Sequence, residues 1–254
     1  MKKIFLLLLS AVGLYGASFA QVDTDKTWND ANTAYVNSDY AGAIRGYEQL
    51  RDAGFESEKL YLNLGNAYFK RGMKGKAILN YNRALRLSPN DEDILYNLSI
   101  ANAQVQDKID RVPEFFVKRW FAGLGQSLSG NTWAVLSLLF LALTLFGAGI
   151  YLLLQRVALQ KAGFYGGLVS FVLLVFSVVY AARSSSERRN PSEAVVMSTA
   201  MPVKSSPDAG SKELFVLHEG TKVGVRSSLG DWREIRIADG NKGWVQASAI
   251  ELID

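Results

Sequence analysis

Two long uncharged apolar runs dominate the hydrophobic and polar pattern of this chain. The runs cover Thr132–Leu154 and Ala162–Ala182, and neither contains an acidic or basic residue. Each has about the 20 residues that a helix needs to cross the hydrocarbon core of a membrane. Residues 155–161 form a short loop between them. The pattern therefore predicts a two-helix transmembrane hairpin that separates two soluble regions.

The first residues of the chain have the pattern of a secretory signal peptide. Lys2 and Lys3 precede a short apolar core, and the small residues Ser18 and Ala20 occupy the two positions that signal peptidase recognises. We predict a signal peptide over residues 1–20 with cleavage after Ala20. An uncleaved anchor is the alternative, and in both cases the region that follows is exported.

The charges around the apolar runs give two opposing signals about orientation. Arg156 and Lys161 lie in the loop, which suits a cytoplasmic hairpin tip. More basic residues flank the outer ends of the runs: Lys118, Arg119, Arg183, Arg188 and Arg189. Signal peptides drive export, and long domains cross membranes largely regardless of charge. We therefore predict a bacterial inner-membrane protein with two spans and both soluble domains in the periplasm.

The region before the spans repeats itself at a period of 34 residues. Small and aromatic residues recur at this interval in three pairs: Ala31 and Gly65, Ala43 and Ala77, and Tyr47 and Tyr81. The period and the pattern resemble the tetratricopeptide repeat (TPR), which implies an all-α solenoid of helix pairs. We predict a TPR domain over residues 21–112, with two repeats ended by Gly54 and Pro89 and a capping helix over Asp93–Gln104.

The TPR resemblance implies a concave face, lined by the first helix of each repeat, that binds partners. On this chain the face would carry aromatic and amide side chains that suit an extended peptide or a partner helix. These candidates are Trp28, Asn32, Tyr35, Asn63, Asn66, Phe69, Lys70, Asn97 and Ile100. The alternative is that Trp28 and Phe69 only pack between the repeats.

An amphipathic connector is predicted over residues 113–131. Pro113 is a favoured first residue of a helix. Apolar residues then fall on one stripe, while Lys118 and Arg119 take the polar side. We expect this connector to lie on the outer membrane surface. Packing against the capping helix is the alternative.

Short β-rich runs separated by turn signals follow the second span and a charged linker over residues 183–193. The five predicted strands are Ala194–Thr199, Leu214–Leu217, Lys222–Arg226, Trp232–Ile237 and Gly243–Ala247. Short strands at this density indicate a small barrel. The motifs Gly230-Asp231-Trp232 and Asp239–Val245 resemble bacterial SH3-like domains, so we predict an all-β SH3-like barrel over residues 194–254.

Strand alternation places both tryptophans of this domain on a polar face. Ile235 and Ile237 share one face of their strand, so Trp232 lies on the other, and Trp244 lies away from Val245 in the same way. The SH3-like resemblance implies binding of peptides or peptidoglycan in an exposed groove. Trp232 and Trp244 are the candidate ligand contacts, and packing at the end of the barrel is the alternative.

Composition narrows the classes of function. The chain has a formal net charge of +4, but its basic excess lies beside the apolar segments, as in membrane anchors rather than nucleic-acid-binding proteins. There is no cysteine and the single histidine is His218, so thiol chemistry and paired histidine ligands are excluded. Nucleophile–base pairs and phosphate-binding loops do not occur at recognisable spacings. We expect no enzymatic activity, no cofactor, no metal ion and no nucleic-acid partner.

The order of the modules resembles the bacterial aerotolerance-operon (Bat) family over essentially the full mature chain. The resemblance also includes Pro113–Trp120, Asn63–Tyr68 and Asn90–Asp93. It implies membrane partners with von Willebrand factor A domains, other Bat components and a cytoplasmic MoxR-type AAA+ ATPase. It also implies a role in oxidative-stress tolerance or envelope integrity. Our leading hypothesis is a non-enzymatic scaffold that binds partners through its TPR domain. The alternative is a cell-wall sensor that binds peptidoglycan through its SH3-like domain.

Overall fold

The computed structural model describes residues 23–110, 120–121, 123–125, 127–189 and 192–254. The predicted signal peptide, residues 113–119, 122 and 126 of the predicted connector and residues 190–191 of the predicted linker lie outside the described residues. The chain divides into two units, Met1–Phe55 and Glu56–Asp254.

The first unit contains one pair of helices. They are α1 (Thr24–Val36) and α2 (Tyr40–Asp52). The side chains of Asp23 and Asp39 cap these helices by accepting hydrogen bonds from backbone N–H groups in the first turn. The helices cross closely, since a β carbon added to Gly46 would lie 2.7 Å from Cβ of Ala31. Gly54, with a φ of +88°, follows α2 and ends the pair as the sequence predicted.

The second unit begins with three helices. They are α3 (Glu58–Lys70), α4 (Lys74–Leu87) and α5 (Glu92–Ala103). Side-chain oxygens of Ser57 and Asp91 cap α3 and α5. A β carbon on Gly65 would lie 2.7 Å from the ring of Tyr81, which explains why this position of the repeat needs a glycine. Helix α5 corresponds to the predicted capping helix.

Two helices in the second unit are long and apolar enough to cross a membrane. They are α6 (Gly130–Leu153) and α7 (Val157–Arg189). Only 6% and 11% of their apolar 18-residue stretches are buried, unlike the core helices of a soluble protein. They form an antiparallel hairpin in which a β carbon on Gly147 would lie 2.8 Å from Cα of Gly167 and from the carbonyl oxygen of Gly163. This contact explains why glycines occur on both helices.

The helical parts of the hairpin extend beyond the predicted spans. Helix α7 begins at Val157, so most of the predicted loop 155–161 is helical, and only residues 154–156 separate the two helices. The same helix continues to Arg189 and includes much of the predicted linker 183–193. No proline occurs between Val157 and Pro191 to stop the helix, which accounts for its length. The membrane boundaries themselves stay predictions.

The β domain at the end of the second unit contains seven described strands. They are β1 (Glu193–Val196), β2 (Ala200–Lys204), β3 (Glu213–His218), β4 (Lys222–Leu229), β5 (Trp232–Arg236), β6 (Lys242–Gln246) and β7 (Ile250–Leu252). Five of them overlap the predicted strands. Strand β2 was missed because it contains Pro202, which argues against a strand interior, and β7 is only three residues long.

The prediction of a closed barrel was wrong, because the sheet is open. Its order is β3-β2-β6-β5-β4-β1-β7, with antiparallel neighbours throughout. Strands β3 and β7 are the two edges and do not pair with each other. At the end of β3 the backbone N–H of His218 donates to the carboxylate of Asp107, at 2.7 Å. The side chain of Asp107, which lies outside the sheet, thus bonds to the backbone of an edge strand that a closed barrel would pair with another strand.

The core of the β domain is built from small and branched apolar side chains. These buried residues are Ala194, Val196, Met201, Val203, Leu217, Val223, Ile235, Ile237, Val245 and Ile250. Ile109, which follows α5 in the chain, packs against the same core. The β domain is thus completed by a side chain from the repeat region.

Candidate functional site

A side-chain hydrogen bond joins the two helices of each repeat. The Tyr47 hydroxyl donates to Oδ1 of Asn32 at 2.6 Å, and the Tyr81 hydroxyl donates to Oδ1 of Asn66 at 2.8 Å. The two bonds are related by the 34-residue period at both ends. Asn32 and Asn66, which were predicted to bind a partner, therefore support the fold of each helix pair. The 34-residue period relates the two asparagines and the two tyrosines in the sequence, but it did not show that each asparagine bonds with a tyrosine.

The predicted aromatic residues of the first unit make contacts within that unit. The ring of Trp28 meets Tyr47 edge-on with centroids 5.7 Å apart, and Tyr35 meets Tyr40 at 5.4 Å. Burial raises the pKa of the Tyr35 hydroxyl, with a smaller contribution from Tyr40, so Tyr35 stays neutral and can donate a hydrogen bond. Trp28 and Tyr35 are both half-buried, which leaves part of each ring accessible.

The predicted site residues of the second unit lie on α3 and α5, two helices in direct contact. Asn63 and Phe69 are half-buried, and Lys70 is exposed at the end of α3. The amide nitrogen of Asn97 donates to the carbonyl oxygen of Asp93, at 2.7 Å, within α5. These neighbouring helices thus present an aromatic ring, a cation and amide groups, a chemistry that suits a peptide or a partner helix.

Helix α5 exposes apolar side chains, one of them at a position that is buried in the helix one period earlier. Tyr61 of α3 is only 6% exposed, whereas the residue one period later, Leu95 of α5, is 45% exposed. Its neighbour Tyr96 is 67% exposed. Among the described residues that follow α5, 104–110 are not helical, so the helix that completes a repeat is missing there. Leu95 and Tyr96 are candidate partner contacts that the sequence analysis missed, although the incomplete third repeat was the available signal.

The two tryptophans of the β domain lie on one polar face of the sheet. Trp244 is paired with Glu234 on β5, and Trp232 is paired with Gln246 on β6, so all four side chains share a face. Lys204 of β2 is paired with Trp244 from the other side. Both indole rings are half-buried. Both tryptophans therefore lie on the face that strand alternation predicted, and their ligand-binding role stays a prediction.

A cleft of about 560 Å³ opens between β3 and the segment that follows α5. Its lining mixes charged and apolar side chains, among them Asp107, Lys108, Ile109, Leu214, Val216 and Lys242. Sequence reasoning missed the cleft because its two walls come from distant parts of the chain.

Burial favours a raised pKa for the Asp107 carboxyl, but hydrogen bonds from Thr221 and His218 outweigh burial and lower that pKa. Asp107 is therefore an anion at neutral pH.

Comparison with known proteins identifies the repeat type. Residues 65–106 match the family model described as TPR repeat. The match covers the end of α3 and all of α4 and α5, and it confirms the predicted TPR assignment for this part of the chain. No curated protein matches the chain. Within the part of the chain that the structure describes, no group of three or more His, Asp or Glu side chains is arranged to hold a metal ion.

Proposed function

We propose that this protein is a non-enzymatic membrane scaffold that binds protein partners through its TPR region. The observation that carries the proposal is the uncovered face of α5, where Leu95 and Tyr96 are 45% and 67% exposed. In a helical repeat the first helix packs against a second helix, so exposed apolar side chains on a first helix offer a surface for another helix. The occupant we propose for this surface is an amphipathic helix of a partner protein, whose apolar face would cover these side chains.

The proposal places the scaffold in a bacterial inner membrane with both soluble regions in the periplasm. Its support is the pair of apolar helices α6 and α7 together with the signal-peptide pattern in residues 1–20. A periplasmic position would present the face of α5 to the exported domains of other membrane proteins.

We further propose that the protein is a BatE-like component of the Bat family, acting in oxidative-stress tolerance or envelope integrity. The support is the order of signal peptide, TPR region, two apolar helices and β domain, with the motifs Asn63–Tyr68 and Asn90–Asp93. The partners expected from this resemblance are membrane proteins with von Willebrand factor A domains.

The test is co-purification from native membranes. Tagged full-length protein would be extracted in mild detergent, and the proteins that accompany it would be quantified by mass spectrometry. We expect stoichiometric membrane partners with exported domains, and we expect Tyr96→Asp to reduce their recovery at least tenfold. The matched control is Leu229→Asp, because Leu229 is a similarly exposed apolar residue, at 60%, in the β domain.

Two outcomes would overturn the scaffold proposal. The first is that the wild-type protein is purified without any protein partner. The second is that Tyr96→Asp and Leu229→Asp reduce partner recovery equally, which would separate partner binding from the face of α5.

The second candidate function is binding of peptidoglycan or peptides by an SH3-like β domain. The observation that favours it is the half-buried pair Trp232 and Trp244 on one polar face, beside Lys204 and Glu234. Detergent-solubilised full-length protein should sediment with purified wall material, and the double variant Trp232→Ala, Trp244→Ala should not. Absence of sedimentation of the wild type at low salt would exclude the wall as ligand.

A further inference from the structure

One helix of the repeat region has no cap of its own. Side chains next to the helix start cap the other helices that the structure describes there: Asp23, Asp39, Ser57 and Asp91. Met73, which precedes α4, makes no such hydrogen bond. Instead the backbone N–H of Gly75 donates to Oε1 of Glu219, at 2.8 Å, from the turn between β3 and β4. A carboxylate here satisfies a free N–H group and complements the helix dipole.

The same β-domain turn packs closely against α4 through two glycines. A β carbon on Gly75 would lie 2.9 Å from Cγ of Glu219. One on Gly220 would lie 3.0 Å from the side chains of Ile78 and Val105, and Gly220 has a φ of +91°. Any other residue at Gly220 would be strained and would push the turn away from α4. The two glycines therefore fit the turn to the helix.

A buried cation on α4 has its charged partners in the β domain. The Arg83 side chain is only 8% exposed. Its Nε donates to the carboxylate of Asp254 at 2.6 Å, Nη1 to Glu251 at 3.4 Å, and Nη2 to the carbonyl oxygen of Leu252 at 3.3 Å. A buried guanidinium needs such partners, because its desolvation is costly without them. Arg83 therefore favours the docked arrangement over one in which α4 and the β domain are apart.

The segment after α5 also holds this β3–β4 turn, through hydrogen bonds to Asp107. The Asp107 carboxylate accepts hydrogen bonds from the backbone N–H of His218 at 2.7 Å and from the Thr221 hydroxyl at 2.6 Å. It also lies 2.7 Å from Nδ1 of His218. Two residues further along, Ile109 enters the packing of the β-domain core. The turn is thus held by α4 and by this segment together.

We propose that the second repeat and the β domain form one folded body, in which the β domain replaces the missing cap of α4 and covers its outer face. The membrane hairpin α6–α7 is then an insertion between two parts that fold together. Both parts must lie on the same side of the membrane, and α4 is closed to outside partners, which leaves α3 and α5 for binding. This inference is independent of the proposed scaffold function, because it concerns contacts within one chain.

Cysteine cross-linking tests the proposal, since the chain contains no cysteine. A β carbon on Gly75 would lie 2.9 Å from Cγ of Glu219, so the double variant Gly75→Cys, Glu219→Cys brings its β carbons close to the separation of about 3.5–4.5 Å that a disulfide bridges. A protease site inserted at Gln155, in the non-helical turn of the hairpin, allows the chain to be cut into two fragments. After oxidation in membranes and cleavage, the double variant should run as one species without reductant and as two with it. Each single variant is the matched control and should give two fragments throughout.

A second measurement avoids the strain of a new side chain at Gly75. Asn82 on α4 is 8% exposed and accepts a hydrogen bond from Lys222 at 3.3 Å. One period earlier stands Glu48, whose side chain is 31% exposed. A maleimide should label Asn82→Cys at least tenfold more slowly than Glu48→Cys, and adding Arg83→Glu should remove most of this difference. Two fragments from the oxidised double variant, together with equal labelling of both cysteines, would overturn the proposal.

Discussion

The two repeats share a period and a hydrogen bond, but their second helices begin differently. Asp39 caps α2 from the adjacent position. One period later the chain has Met73, and the cap of α4 comes from Glu219, 144 residues beyond Gly75. The repeat pattern therefore specifies the helix pair. Where the chain departs from the pattern, at Met73, a distant residue supplies the helix cap instead.

The outer faces of the two second helices differ in the same way. Gln49 of α2 is exposed, whereas Arg83, one period later on α4, is buried between Glu251 and Asp254. The polar outer face of α2 suits contact with water. The outer face of α4 requires the β domain, because its cation has no other charged partner among the described residues.

The largest expected effect comes from reversing the buried charge. Arg83→Glu would place an anion beside Glu251 and Asp254, and we expect it to lower the free energy of unfolding by about 3 kcal/mol. Gln49→Glu introduces the same residue at the matched exposed position and should change it by no more than about 0.5 kcal/mol. Urea unfolding of the detergent-purified full chain, followed by tryptophan fluorescence, measures both. Equal effects would mean that the two outer faces do not differ energetically.

The shared hydrogen bond should behave alike in both repeats. Asn32→Ala and Asn66→Ala each remove the acceptor of a buried tyrosine hydroxyl, and each should cost about 1–2 kcal/mol. Hydrogen exchange measured by mass spectrometry should show faster exchange in α1 and α2 for the first variant, and in α3 and α4 for the second. An effect in one repeat alone would show that the bond is not a feature of the repeat.

The parts of this structure that depend on local pattern could be predicted from the sequence. The 34-residue period located the helix pairs, apolar runs located α6 and α7, and alternation put Trp232 and Trp244 on a polar face. The missed features depend on residues far apart in the chain. Glu219 as a cap of α4, and Asp107 at the edge of β3, have no signature at either end that a sequence pattern shows.

The candidate partner face was predicted only in part, for a related reason. Residue types on α3 and α5 indicated binding, but Asn32 and Asn66 proved to bond with tyrosines of their own repeats. Leu95 and Tyr96 became visible as candidates only through their exposure, which the sequence does not give. Amide groups serve both binding and fold, so residue type alone does not separate the two roles.

Removing the caps of α2 and α4 should have a smaller effect on stability. At α4 a second substitution should reverse that effect. Asp39→Ala and Glu219→Ala should each cost about 1 kcal/mol, since each leaves the start of one helix without its acceptor. Met73 has φ −85° and ψ 74°, close to the −79° and 71° of Asp39, so an aspartate fits there. Met73→Asp should therefore restore slow hydrogen exchange in the first turn of α4 in the Glu219→Ala variant. Failure of this rescue would mean that Glu219 acts through something other than capping.

The smallest expected effect is a pH dependence at Asp107. Hydrogen bonds and the charge of His218 outweigh burial and hold the pKa of this carboxyl below its ordinary value of 3.8. A carboxyl with a lowered folded-state pKa stabilises the fold fully above its unfolded pKa, and that stabilisation is lost as the pH falls through the folded pKa. Asp107→Asn should thus destabilise the protein at neutral pH by no more than about 1 kcal/mol, and the difference from the wild type should shrink below about pH 4.

Asp110→Asn, at an exposed position nearby, is the control and should show no such convergence. Urea unfolding measured at several pH values distinguishes the two variants, and a constant difference for Asp107→Asn down to low pH would show that its charge does not hold the turn.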